Sequence, residues 1–95
     1  MLRRLTTLVL ALALPACGEP ATAADCREIL DRIVALELAE QGYRDPVLTR
    51  RKQDEFARRY AADLARCEGQ RLKPHARACL ATAGSTEQLS HDCLR

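Results

Sequence analysis

The chain has 95 residues, enough for one small domain, with 15 basic and 13 acidic side chains and a formal charge of +2. Its aromatic side chains are Tyr43, Phe56 and Tyr60, which leaves little material for an enclosed ligand pocket. Val, Ile and Thr form no alternating run, a pattern that argues against a sheet.

The first seventeen residues divide into the three parts of a secretory signal. Arg3 and Arg4 form a positive start, Leu5 to Leu14 an apolar stretch, and Pro15-Ala16 a small-residue exit. The apolar stretch is about ten residues, half of what a bilayer-spanning helix needs, so processing is expected rather than a transmembrane anchor. The residues around Arg3-Arg4 do not fit a twin-arginine signal. The run Leu14-Pro15-Ala16-Cys17 closes this segment and resembles a bacterial lipobox, with leucine at −3, alanine at −1 and cysteine at the end of the apolar run. That resemblance implies a lipoprotein signal peptide over residues 1–16 and a diacylglycerylated Cys17 as the first mature residue. It also implies attachment to the cell envelope through a lipid anchor, held stably by two or three acyl chains. Gly18 is not the aspartate associated with inner-membrane retention, which leans toward the outer membrane. A second exit competes: Ala21-Thr22-Ala23 is also a small-x-small site, and cleavage after Ala23 or Ala24 would give a soluble secreted protein. Loss of residues 1–16 removes two of the basic side chains and none of the acidic ones, so the mature chain is balanced in charge. It offers no electrostatic case for nucleic acid.

The mature chain divides into an acylated cysteine with a tether (17–24) and a helical domain (25–95). Asp25 is placed as an N-cap with Glu28 three residues on, and Cys26, Ile29, Leu30, Ile33 and Leu36 recur at helical spacing up to Gly42. Asp45-Pro46 opens a second helix with the stripe Phe56, Tyr60, Leu64, Cys67, ended by Gly69. Pro74 opens a short third helix carrying Ala76, Cys79, Leu80 and Ala83, closed by Gly84. Ser85 with Gln88 opens a fourth, with Leu89 and Cys93. The expected fold is therefore all-α: a small four-helix domain of two antiparallel helical hairpins. The second helix is charged in its first half, and Arg50-Asp54-Arg58 and Arg51-Glu55-Arg59 predict i,i+4 ladders on a solvated face.

With Cys17 assigned to lipid, four cysteines remain, an even set that points to two disulfides in an exported domain. Each lies on the apolar face of its helix, and antiparallel packing gathers all four into one layer. Three connectivities are open. Cys26–Cys67 with Cys79–Cys93 ranks first because both join nearest hairpin partners, and Cys26–Cys93 with Cys67–Cys79 follows. The spacings lack the close ligand pairs of a zinc site, and no C-x-x-C is present. His75 lies four residues before Cys79 and His91 two before Cys93, too sparse a set to expect a metal or other cofactor. No G-x-S-x-G or Cys/His/Asp arrangement suggests nucleophilic catalysis, so no enzyme is expected.

Cys26 opening the first helix, Cys67 closing the second, and Cys79-x3-Ala83 with Thr86, Leu89 and Cys93 resemble small helical, cysteine-paired lipoproteins of Gram-negative bacteria. That resemblance implies an architecture and carries no catalytic residue. The expected role is a non-catalytic interaction or structural module with an envelope protein as partner; a small ligand- or metal-binding module is the alternative.

Overall fold

The computed structural model describes residues 18–95; the leader and the lipidation site expected at Cys17 lie outside them. The described chain is mostly helical, with two cystine bridges and one minimal two-stranded sheet.

The stretch expected as a tether is part of the fold. β1 (Glu19–Pro20) pairs antiparallel with β2 (Arg71–Leu72), Glu19 opposite Leu72 and Pro20 opposite Arg71. Ala21 extends this clasp: its N–H donates to the Gln70 carbonyl at 2.7 Å, and its carbonyl accepts from the Gly69 N–H at 2.8 Å. Ala21 is buried. The expectation of no sheet fails here because two-residue strands are too short to produce an alternating pattern.

Helix α1 (Ala23–Glu40) starts two residues earlier than Asp25. Thr22 is the N-cap, its hydroxyl accepting from the Asp25 N–H at 3.0 Å, while the Asp25 carboxylate accepts from the Thr22 N–H at 2.9 Å. Asp25 thus completes a reciprocal capping box at its third position instead of opening it. At the other end, the N–H groups of Gly42 and Tyr43 return to the carbonyls of Ala39 and Leu38, the two bonds of a Schellman motif. Gly42 supplies the positive φ, +94°, that this motif requires.

The predicted second helix is broken. Helix α2 (Pro46–Arg59) ends at Tyr60, and α3 (Ala61–Cys67) begins there. Tyr60, at φ −106° and ψ 30°, serves as the end of one and the start of the other. Neither helix contributes a buried residue. The expected i,i+4 ladders give way to a contact across the hairpin. Asp54 accepts from Arg27 of α1 at 2.7 Å, and Lys52 pairs with Glu55 at i,i+3. Arg27 also holds Asp31 at 2.9 Å, so the guanidinium bridges the two helices, and Asp31 and then Asp54 raise its pKa.

Helix α4 (Ala76–Thr82) starts after Pro74 and not on it, with His75 at its N-cap. Ser85 caps α5 (Thr86–Gln88) as expected, accepting from the Gln88 N–H, and a π-helical turn (Leu89–Cys93) follows. The core lies here: Leu36, Leu80, Ala83, Leu89 and Cys93 are buried together, with Ile29, Ile33 and Cys79 packed against them. Arg32 of α1 closes this layer. Its Nε and Nη2 donate to the carbonyls of Leu80 and Ala83 at the C-terminal end of α4, where a cation also complements the helix dipole. Among the described residues no helix is long and apolar enough to cross a membrane.

Candidate functional site: an apolar groove between the helical arms

One flank of α1 is covered by α4, α5 and the π turn, which form the core with it. The other flank faces α2 and α3 and stays open. On α1, Cys26, Ile29, Leu30 and Ile33 follow i, i+3, i+4, i+7 spacing. On the opposite arm, Tyr60, Asp63, Leu64 and Cys67 follow the same spacing. Two such stripes facing each other make one seam of a helical bundle, and a third helix is what normally seals it. No element of the described chain lies there. The result is a groove of about 420 Å³, lined almost wholly by apolar atoms and open along one side. It runs on into a second hollow of about 230 Å³ between Leu30, Ile33, Val34 and Glu37 of α1 and Phe56 and Tyr60.

The break at Tyr60 falls where the groove meets the second hollow, and Tyr60 lines both. Phe56 and Tyr60 stack with ring centroids 5.8 Å apart, and the Arg59 guanidinium lies 5.6 Å above the Phe56 ring. Tyr60 is 40% exposed, a large aromatic presented to solvent on a groove wall. Asp63, the charged group on that wall, is paired with Arg66 one turn away.

The cysteines are joined as Cys26–Cys67 and Cys79–Cys93, with Cα–Cα distances of 6.0 and 5.3 Å. They do not share a single layer, contrary to the sequence expectation. Cys26–Cys67 closes the end of the groove, whereas Cys93 and Cys79 belong to the core with Leu36, Leu80, Ala83 and Leu89. The clasp explains the separation: residues 70–72 are drawn back along Glu19–Ala21, so α4 starts away from the end of α3.

A second cluster sits at the clasp. The Arg77 guanidinium of α4 grips Asp25 with Nε and Nη2 at 3.1 and 2.8 Å, and its Nη1 reaches Glu19 at 2.8 Å. Asp25 is held well below the usual carboxylate range, first by Arg77 and then by the Thr22 N–H. Every partner in this cluster is already another side chain or backbone group of the same chain, which marks it as structural. The His75 Nε2–H donates to the Asp92 carbonyl, 3.0 Å away, and the ring is not drawn toward Cys79. Among the described residues no three His, Cys, Asp or Glu side chains converge to hold a metal ion.

The sequence singled out most of the groove residues, though as core. Asp63 was missed, and its signal was its position three after Tyr60 and four before Cys67, inside the apolar stripe. No protein-family model, curated protein or solved structure matches the chain.

Proposed function

We propose that this protein is a small lipid-anchored component of a bacterial cell envelope, acylated at Cys17, that acts as a non-catalytic protein-interaction module. The observation that carries the interaction reading is the open groove, two apolar helix stripes with one face unsealed. An apolar surface of this kind on a small domain marks a docking site, and a helix laid into a two-helix groove is a recurrent mode of recognition. This reading takes the helices as two unequal hairpins, α1 with the broken α2–α3 arm, and α4 with α5 and the π turn.

The clasp supports the anchor reading over a soluble one. Cleavage after Ala23 or Ala24 would remove β1, the buried Ala21 and the Thr22 cap, whereas cleavage before Cys17 keeps all three. Gly18 as the second mature residue favours the outer membrane. The groove volume also falls in the range of small-molecule sites, roughly 300–1,000 Å³. Its open side would leave an apolar ligand in water, which favours side chains of a protein partner.

Photocrosslinking tests the interaction. A benzophenone amino acid at Leu64, in the groove, should give one discrete protein adduct in intact cells, lost on Leu30→Asp. The same probe at the exposed Glu87 should not give it. No adduct at Leu64, or the same adducts from both positions, would contradict the reading.

A further inference from the structure

The first described residue is already locked into the fold. Gly18 has φ +99°, and its carbonyl accepts from the Arg71 Nη1 at 3.2 Å. A Cβ placed there would lie 1.8 Å from the Leu72 carbonyl oxygen, so this backbone rests directly against Leu72 and Lys73. The next residue, Glu19, is paired in the clasp. Cys17 is one peptide unit away, about 3.8 Å between Cα atoms. A flexible linker of several residues would give an anchored domain slack on the order of 5–6 Å times the square root of its length. Here no such linker exists between residue 17 and the clasp.

We propose, resting on the lipid-anchor reading, that the clasp end of the domain lies against the bilayer that holds the anchor, with Lys73 on phospholipid headgroup phosphates. The Lys73 side chain is exposed, and its backbone lies beside Gly18, where the chain enters the fold. Two other cations of this end are engaged within the chain, Arg71 at the Gly18 carbonyl and Arg77 at Asp25 and Glu19. Basic groups immediately beside an acyl anchor act with it as the second signal for membrane attachment. This orientation puts the Cys26–Cys67 end of the groove nearest the membrane, since Ala21 bonds to Gly69 and Gln70 just beyond α3. Helix α1, about 27 Å long at 1.5 Å per residue, then carries the turn at Gly42 outward.

The chain contains two lysines, which makes the contact directly readable. Lys73 lies at the clasp, and Lys52 lies on α2, whose Gln53 bonds the Asp31 carbonyl partway along α1. The acylated protein from membranes is placed in vesicles of phosphatidylethanolamine and phosphatidylglycerol and treated with a short amine-to-amine crosslinker. Lys73 should form phosphatidylethanolamine adducts in about fivefold excess over Lys52, each normalised to its labelling by a water-soluble amine reagent. Equal yields, an excess at Lys52, or no lipid adduct on either lysine would overturn the orientation while leaving the anchor intact. A mass lacking acyl chains on the starting material would instead overturn the anchor reading itself, and the orientation with it.

Discussion

Arg77 and Asp25 form a bidentate pair, with two guanidinium nitrogens at 3.1 and 2.8 Å from the two carboxylate oxygens, across 52 residues of sequence. The pair joins α4 to the first turn of α1, and Glu19 adds the clasp to the same guanidinium. Asp25 therefore has three tasks: it satisfies the Thr22 N–H, it places an anion at a helix N-terminus, and it fixes the register of a distant element. Its folded-state pKa lies below the unfolded value of about 3.9, so its contribution is fully present above pH ~4 and is lost as pH falls further. Urea midpoints measured from pH 6 to pH 2 should show an acid limb that Asp25→Asn flattens. An identical acid limb in the variant would remove Asp25 from the account.

The two disulfides should protect different regions. On the chain-entropy model, Cys26–Cys67, with a separation of 41, contributes about 4 kcal/mol and Cys79–Cys93, with a separation of 14, about 3. The α2–α3 arm has no buried residue of its own, so replacing Cys26 and Cys67 by serine should raise amide exchange across α3 and leave Leu80 to Ala83 protected. Replacing Cys79 and Cys93 should expose the core amides first. Uniform loss of protection from either pair would mean that the domain opens as one unit.

Arg32 should be irreplaceable by lysine. Its fork meets two carbonyls at once, those of Leu80 and Ala83, and a single ammonium cannot reproduce that geometry. Arg32→Met should cost about 1–3 kcal/mol in denaturant unfolding, since it strips a charged donor from the end of α4 beside the buried Ala83. Arg32→Lys should recover only part of it. Full recovery by lysine would reduce the contact to one of charge alone.

Gly18→Ala should open the clasp. The positive φ disfavours any side chain, and the new methyl would fall inside the Leu72 carbonyl, which is backbone and cannot rotate away. Helix α1 keeps its Thr22 cap, so the loss should be local and about 1–2 kcal/mol. The amides of Ala21 and Gly69 should exchange faster while those of α1 hold. Unchanged exchange at both amides would show that the clasp does not depend on this residue.

Helical periodicity and caps were legible because they are local: Asp45-Pro46, Gly42 and Ser85 act within a few residues of themselves. What sequence could not convey depends on distant partners. The clasp joins residues 53 apart through two-residue strands, and the break at Tyr60 interrupts a stripe whose spacing alone reads as one continuous helix. The groove was half visible. Ile29, Leu30, Ile33, Tyr60 and Leu64 stood out as apolar faces, but periodicity specifies that a face is apolar and not whether the chain supplies something to cover it.

Intact mass spectrometry of the mature protein extracted from membranes tests the central claim most directly. Cleavage before Cys17, acyl chains on that cysteine, and a four-hydrogen deficit for the two disulfides is the mass expected. A mass corresponding to cleavage after Ala23 or Ala24, with no lipid, would contradict it.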